Sequence, residues 1–308
     1  MQHKTQPLAN DTPATRRKAR SGDGRVHKRN TLNDLTGREW IKSTKSWLVC
    51  DSQRYHRNRD TELHPARYPE ELVAEFLRFF TKSDAWVLDP FCGSGATLVA
   101  CLEEGRRGVG VEISPEYARM ARARLPRIDG SDQAVVVEGD SRDLDTPSLW
   151  RDLEGLPLAG DGLPRFDFIM TSPPYWNMLG TSRGGVHSNH KERMRKGLDA
   201  DYGEREGNLE LLSDYSEFIE TLGAIFDSCG RLLRRDKYMV VVMQNVRVPD
   251  GHVQPLAWDL ARRISRTLSF QGERIWCQDS KKLGIWGYPT TFVPNYHHHY
   301  CLIFRRSD

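Results

Sequence analysis

A short segment at residues 171–177 has a composition suited to holding an amine. It reads TSPPYWN and directly follows an apolar stretch that we predict to be a buried strand. The consecutive prolines Pro173 and Pro174 make a stiff, extended turn without N–H groups. Ser172 and the Pro173 carbonyl can accept the two hydrogens of an exocyclic amine, and Tyr175 offers a ring that can stack on a base taken out of a duplex. Taken alone, the segment could equally be a proline loop with a packing tyrosine.

A glycine-rich turn at residues 87–100, VLDPFCGSGATLVA, is the second candidate site. An apolar strand runs into Asp89 and is followed by Gly93, Gly95 and a predicted helix. Ligands of open α/β sheets bind at the carboxyl ends of the strands, and glycine lets the backbone approach them closely. A carboxylate at position 89 suits the amino group of a methionine moiety and repels a pyrophosphate. The alternative is a glycine turn with a purely structural role.

Two further acidic residues follow the next two predicted strands. Glu112 ends the strand GVGVE, where an acidic side chain is placed to accept both ribose hydroxyls of a nucleoside. Asp140, in EGDSRD, could bond an adenine amino group. Dinucleotide-binding enzymes share the ribose carboxylate, but their fingerprint is GxGxxG, whereas residues 92–97 read CGSGAT. A sulfonium nucleoside therefore fits better than NAD, although both carboxylates could also be plain surface charges.

The elements that position these residues alternate between strands and helices. Apolar spacing predicts strands at 85–89, 108–112, 134–138, 166–170, 238–245, 270–278 and 299–305. It predicts helices at 69–80, 95–104, 213–234 and 254–268, and a further helix that starts with Pro115 after an N-cap at Ser114. Strands alternating with helices imply right-handed crossovers and a mostly parallel sheet.

These motifs, in this order, resemble the DNA amino-methyltransferases of the N4-cytosine and N6-adenine group, SPPY type. The resemblance extends from about residue 33 to the C-terminus and is carried by HPARYPEEL at 64–72, DPFCGSGATL at 89–98, GVEISPEY at 110–117 and TSPPYW at 171–176. It implies an α/β, Rossmann-like class I methyltransferase fold with a seven-stranded, mostly parallel sheet and an antiparallel C-terminal hairpin, and S-adenosyl-L-methionine as the cofactor. The implied catalytic residues are Ser172, Pro173, Pro174 and Tyr175. The implied cofactor-binding residues are His64, Pro65, Asp89, Phe91, Gly93, Gly95, Thr97, Glu112 and Asp140.

The resemblance also bears on the substrate. Serine at position 172 is commoner in N4-cytosine enzymes, whereas adenine enzymes usually carry Asp or Asn there. It therefore implies a site-specific DNA methyltransferase that acts on cytosine N4 of a base flipped from the duplex, with a cognate restriction nuclease as a partner. Adenine N6 of DNA and guanine N2 of RNA are the alternative targets. A protein of this fold that only binds nucleic acid is a third possibility, which the complete Ser-Pro-Pro-Tyr set disfavours.

Composition limits the remaining classes of protein. No run of 18 apolar residues occurs among the 308, which argues against a membrane span. The six cysteines form no CxxC pair, which favours reduced thiols in the cytoplasm over a disulfide framework or a zinc site. The histidine run at 297–299 lies on a predicted terminal strand and is assigned structural roles, so no metal site is expected.

Charge and regularity divide the chain into segments. Residues 1–30 carry eight Lys or Arg against two Asp, which predicts a disordered basic arm that could bind nucleic acid or simply aid solubility. Residues 31–308 are predicted to form the methyltransferase domain. Within it, the polar stretch 178–210 is predicted to be an insertion for target recognition, since it is rich in Arg, Lys and His and adjoins the catalytic turn.

Overall fold

A computed structural model describes residues 24–50, 68–151, 153–176, 209, 212, 214–248, 251–281 and 283–307. Its helices are α1 (Gly37–Ser43), α2 (Glu70–Phe80), α3 (Ala96–Glu103), α4 (Pro115–Arg124), α5 (Tyr215–Leu232) and α6 (Leu256–Ile264). Its strands are β1 (Trp47–Val49), β2 (Trp86–Asp89), β3 (Arg107–Glu112), β4 (Ala134–Glu138), β5 (Phe166–Thr171), β6 (Leu233–Met243), β7 (Val246–Arg247), β8 (Val253–Gln254), β9 (Ser269–Cys277) and β10 (His298–Arg305).

The main sheet has the order β1-β9-β10-β6-β5-β2-β3-β4. Strands β2 to β6 run parallel, whereas β10 is antiparallel to both β6 and β9. This confirms the α/β fold and the antiparallel C-terminal hairpin. The predicted count of seven strands is wrong for the described part of the chain, because β1 adds an eighth strand parallel to β9. Three residues are too few to show a strand period in the sequence.

Helices cover both faces of the sheet. One face packs α2 and α3 against β2, β5 and β6, with Phe76, Phe80 and Phe168 in a shared cluster. The opposite face packs α5 and α6 against the same strands, with Phe226 and Leu260 at the centre. Each strand buries alternate residues on opposite faces, so both layers are needed to cover the sheet.

The end of the predicted basic arm is more ordered than the sequence suggested. Residues 1–23 lie outside the described residues, but Val26 forms an antiparallel bridge with Thr36. The Asn30 side chain accepts hydrogen bonds from the Leu32 and Asn33 amides. Asn33 is fully buried and donates to the Phe79 carbonyl of α2 at 2.5 Å. The segment after residue 24 therefore belongs to the folded domain, and the boundary predicted at residue 30 moves towards the N-terminus.

Two local predictions also change. Ser114 does precede α4, with Pro115 at its first position, but its side chain makes no capping hydrogen bond. The helix predicted from residue 254 begins at Leu256, because Val253–Gln254 pairs with Val246–Arg247 in a small separate sheet. Among the described residues, no helix is long and apolar enough to cross a bilayer.

Candidate active site

The predicted site residues gather at one edge of the sheet. Strands β5, β2, β3 and β4 are neighbours in that order, and their carboxyl ends lead into Ser172, Asp89, Glu112 and Asp140 respectively. From β2 the chain adds β3 and β4 on one side, and it then returns to form β5 on the other side of β2. Open α/β sheets bind ligands at such a switch point in the strand order, here between β2 and β5. With strands about 4.8 Å apart, these ends lie within about 15 Å of one another.

Asp89 is almost fully buried and its carboxylate is saturated by protein donors. One oxygen accepts from the Phe91 amide at 3.1 Å and from the Thr171 hydroxyl at 2.6 Å. The other accepts from the Tyr68 hydroxyl at 3.0 Å and, over a shorter distance, from the Thr97 hydroxyl. Burial raises the pKa of Asp89, and these donors oppose the rise. The carboxylate has no acceptor position left for a methionine amino group, so the structure favours an organising role over the direct contact that we predicted.

Thr97 is part of the same buried network. It is fully buried, and its hydroxyl donates to Asp89 beside the Tyr68 hydroxyl, which donates to the same oxygen. Its position after the glycine-rich turn predicted a cofactor contact. Its buried hydrogen bond to Asp89 indicates instead that it holds this turn against the end of β2.

Glu112 remains suited to a ribose. Its two oxygens accept from the Gly93 amide at 2.7 Å and the Ser114 amide at 2.9 Å. The Ile113 amide is a third donor to this carboxylate. A carboxylate offers about four acceptor positions, so one remains for a ribose hydroxyl. Burial raises the pKa of Glu112 to about 7, which the amide donors counteract in part. The side chain thus holds the glycine turn and keeps an acceptor for a ribose hydroxyl.

Asp140 already has a local partner. Its carboxylate accepts from the Arg142 amide at 2.9 Å and from the Arg142 guanidinium at 2.6 Å and 3.0 Å. The neighbouring Ser141 hydroxyl donates to the Pro90 carbonyl, which connects the segment after β4 to the glycine-rich turn after β2. Asp140 is therefore at the predicted place, but an adenine amino group would share its carboxylate with an arginine.

Glycine is required at several positions in and beside the glycine-rich turn, for different reasons. Gly93 and Gly95 both adopt positive φ, +52° and +82°. A Cβ at Gly95 would lie 2.9 Å from the Cβ of Ala121 in α4. A Cβ at Gly110 in β3 would lie 2.4 Å from the Cys92 sulfur. The structure gives Gly95 a packing reason to be glycine, because it makes room for α4; the predicted approach of a ligand to its backbone stays a prediction.

The predicted catalytic turn, residues 171–176, is held at both ends. Thr171 is bonded to Asp89 at its start, and at its end the Trp176 indole donates to the Leu212 carbonyl at 3.0 Å. Between them, the side chains of Ser172 and Tyr175 are hydrogen-bonded to each other. Ser172 is partly exposed, as an amine acceptor has to be.

Tyr175 does not offer the open stacking surface that we predicted. Its side chain is 6% exposed and packs in the hydrophobic cluster beneath α5 and α6. Burial raises the pKa of its hydroxyl, so the group stays protonated and can hold the Ser172 hydroxyl. Tyrosine has an apolar ring and a polar tip, and sequence alone does not show which of them a site uses.

Some predicted residues lie outside the described part of the chain, and others were missed. His64, Pro65 and nearly all of 178–210 are not among the described residues. Tyr68 and Thr171 were not among the predicted site residues, although both contact Asp89. Tyr68 lies inside the HPARYPEEL motif and Thr171 directly before the SPPY motif, so their positions next to motif residues were the available signal.

Comparisons with known proteins agree with the motifs. The sequence model of the family described as DNA methylase matches residues 3–123, which include the cofactor loop and β3. The putative methylase YubD of Escherichia coli strain K12 is 37% identical over 87 residues, which is 28% of this chain and 37% of that protein. The type II methyltransferase M.Cfr9I of Citrobacter freundii is 41% identical over 73 residues, 24% of this chain and 23% of that protein.

The aligned segments are short. The chain spans less than two fifths of the length of either relative. Among solved structures, TrmN from Thermus thermophilus is 12% identical, with a TM-score of 0.49 over 82% of this chain and 53% of that one, which is too distant to inform the assignment. The sequence model and the relatives therefore show that the N-terminal part of this chain, with the glycine-rich turn and β3, is similar to DNA methylases.

Proposed function

We propose that the protein methylates an exocyclic amino group of a DNA base, and that the base is cytosine, modified at N4. The observation that carries the proposal is the 2.6 Å hydrogen bond between Thr171 and Asp89. It joins the strand before the glycine loop to the residue before Ser172. A turn that accepts an amine is thereby fixed beside a loop suited to a nucleoside.

The residues fit the implied cofactor at its ribose end. Glu112 accepts from the Gly93, Ser114 and Ile113 amides and keeps about one acceptor position for a ribose hydroxyl. The backbone of residues 91–95, with His64 and Pro65, would hold the methionine end, while Asp140 would face the adenine. S-adenosylmethionine, when bound, supplies a methyl group activated by a positive sulfonium centre.

The chain's own contribution is positioning of the target amine. An aryl amine is a poor nucleophile because its lone pair is delocalised into the ring. The Ser172 oxygen and the Pro173 carbonyl accept its two hydrogens and turn the lone pair outward. Tyr175 holds the Ser172 hydroxyl and Pro174 stiffens the turn. Most of the rate enhancement then comes from orientation and electrostatics, which are worth several kcal/mol in well-aligned sites, on the order of 7–11 at best.

Serine at position 172 supports cytosine over adenine, as family members with SPPY more often act on cytosine. Relatives named type II methyltransferases support a place in a restriction–modification system, with a cognate nuclease as partner. A cytoplasmic location is part of the same proposal. We also propose that 178–210 contributes to target recognition, since it follows the catalytic turn directly and carries Arg183, Lys191 and Arg193.

The test is transfer of a labelled methyl group from S-adenosylmethionine to unmethylated plasmid DNA and to unmodified tRNA. We expect label in DNA, in N4-methylcytosine after digestion to nucleosides. Ser172→Ala should lower turnover at least 100-fold with little change in cofactor affinity. The matched control Ser228→Ala removes a buried serine hydroxyl that bonds within α5, away from the site, and should keep full turnover. Label in tRNA alone, or full activity of Ser172→Ala, would overturn the proposal.

A further inference from the structure

The loop between β9 and β10 exposes an unusual set of apolar side chains. Large apolar residues of a folded domain are normally buried, and a cluster of exposed ones indicates a contact surface. This loop contains five, with their exposed fractions: Leu283 79%, Ile285 86%, Trp286 48%, Tyr288 83% and Phe292 86%.

The loop has a defined conformation. The Asn295 amide accepts from the Gly284 amide at 2.9 Å and from the Trp286 indole at 3.2 Å, and it donates to the Gly284 carbonyl at 3.0 Å. Gly287 has φ +70°, and a Cβ there would lie 2.2 Å from the Thr291 carbonyl oxygen. The backbone that carries the exposed side chains is therefore held in place by the Asn295 hydrogen bonds and the Gly287 turn.

The loop projects from the same edge as the candidate active site. The first residues of β10 pair with the last residues of β6, Tyr300 opposite Met243, and β6 runs parallel to β5. In the sheet order, β10 lies two strands from β5, which is about 10 Å. The loop and the catalytic turn can thus face one ligand wider than a single nucleotide.

The charge of this region fits a polyanion. Lys281 and Lys282 follow Asp279 at the start of the loop, and from residue 280 to residue 307 the sequence contains no Asp or Glu. With two lysines against one aspartate, the exposed apolar side chains suit contact with a DNA duplex. Proteins that distort DNA insert apolar wedges between base steps in this way.

We propose that this loop, residues 283–292, enters the duplex and fills the space that the target base leaves, with Phe292 and Tyr288 stacking against the bases that remain. The inference rests on the proposed function, since a base buried in a duplex has to be taken out before its amino group can reach Ser172. The loop would then lower the cost of that step, and it would do nothing for a base that is already unpaired.

Comparing substrates tests the inference with the full-length protein. One oligonucleotide that contains the methylated site is used as a paired duplex, as a duplex mismatched at the target base, and as a single strand. We expect Phe292→Ala to lower kcat/KM on the paired duplex about 10- to 100-fold, and to change it less than about threefold on the mismatched duplex and the single strand. Phe292→Trp, which keeps a large ring, should retain most of the paired-duplex activity.

The control is Ile41→Ala, which removes an exposed apolar side chain from α1 and should leave all three substrates unaffected. Equal activity of Phe292→Ala and wild type on the paired duplex, or an equal loss on all three substrates, would overturn the inference. A change from dimer to monomer in sedimentation on Phe292→Ala would also overturn it, in favour of a surface for a second copy. If wild-type protein methylates no DNA at all, the proposed function itself fails.

Discussion

The Thr171 hydroxyl donates to the Asp89 carboxylate at 2.6 Å, across 82 residues of sequence. The bond joins the ends of β2 and β5, so it sets the distance between the glycine loop and the turn that holds Ser172. Because Asp89 also binds Tyr68, Thr97 and the Phe91 amide, a single buried carboxylate organises three segments of the site.

Breaking this link should uncouple cofactor binding from turnover. We expect Thr171→Val to lower kcat about 10- to 100-fold, because the turn carrying Ser172 loses its anchor, and to change cofactor affinity only a few-fold. Methyl-transfer kinetics with calorimetry of cofactor binding measure both. The matched control is Thr81→Val, an equally buried threonine at the opposite edge of the sheet, between the end of α2 and the start of β2. Equal kcat in the two variants would count against the link.

Tyr175 should act through Ser172. Tyr175→Phe keeps the buried ring and removes the hydroxyl that is bonded to Ser172. We expect kcat to fall about fivefold, less than for Ser172→Ala, because one hydrogen bond that orients the serine is worth about 1 kcal/mol. In Ser172→Ala the further loss of the Tyr175 hydroxyl should add little, which a double-mutant cycle measures. Additive losses would show that the two hydroxyls act independently.

Cofactor affinity should depend on pH through Glu112. Its pKa is raised to about 7, and the ionised form is the better acceptor for a ribose hydroxyl. Affinity should therefore rise as pH rises through 7, by up to about tenfold between pH 6 and pH 8. Comparison with Glu112→Gln removes the contribution of the ligand's own amino group. An identical pH profile for variant and wild type would contradict the assignment of the ribose to Glu112.

The same pKa has an opposite consequence for the protein without ligand. The pKa of Glu112 in the folded protein lies above the usual glutamate value of 4.5, so protonation of Glu112 favours folding. Its contribution to stability is present in full below pH 4.5 and is lost as pH rises to about 7. Denaturant midpoints of the ligand-free protein should fall over this range more steeply than those of Glu112→Gln.

Gly95 should be required by packing as well as by its backbone angle. Gly95→Ala places a Cβ against Ala121 at a φ of +82°, whereas Gly155→Ala meets the same kind of angle, +75°, in open space. We expect Gly155→Ala to cost about 1 kcal/mol of unfolding free energy and Gly95→Ala about 1–3 kcal/mol more. Urea denaturation of both variants measures the difference. An equal loss of unfolding free energy in the two variants would mean that α4 shifts to accommodate the new methyl group.

The sequence alone could predict much of this arrangement. Helix and strand periods placed most elements within a few residues, and the motifs brought Asp89, Glu112 and Ser172 to one edge of the sheet, because parallel strands share that edge. It could not predict which groups bond to Asp89, since such pairings depend on side chains far apart in sequence. It also could not place β1, which exists only through its pairing with β9.

Glycine and tyrosine show the same limit. A glycine in a loop can make room for a ligand or for a helix, and at Gly95 the neighbour is Ala121. A tyrosine after two prolines can stack on a base or pack in the core, and Tyr175 packs. Their residue types are compatible with both roles, and the surrounding packing selects one.

The identity of the modified base tests the central claim most directly. DNA from cells that express the wild-type chain, and from cells that express Ser172→Ala, is digested to nucleosides and separated with mass detection. The account predicts N4-methylcytosine in the first sample and none above background in the second. N6-methyladenine in its place would correct the target base, while no methylated amino group in DNA, or the same amount from Ser172→Ala, would contradict the account.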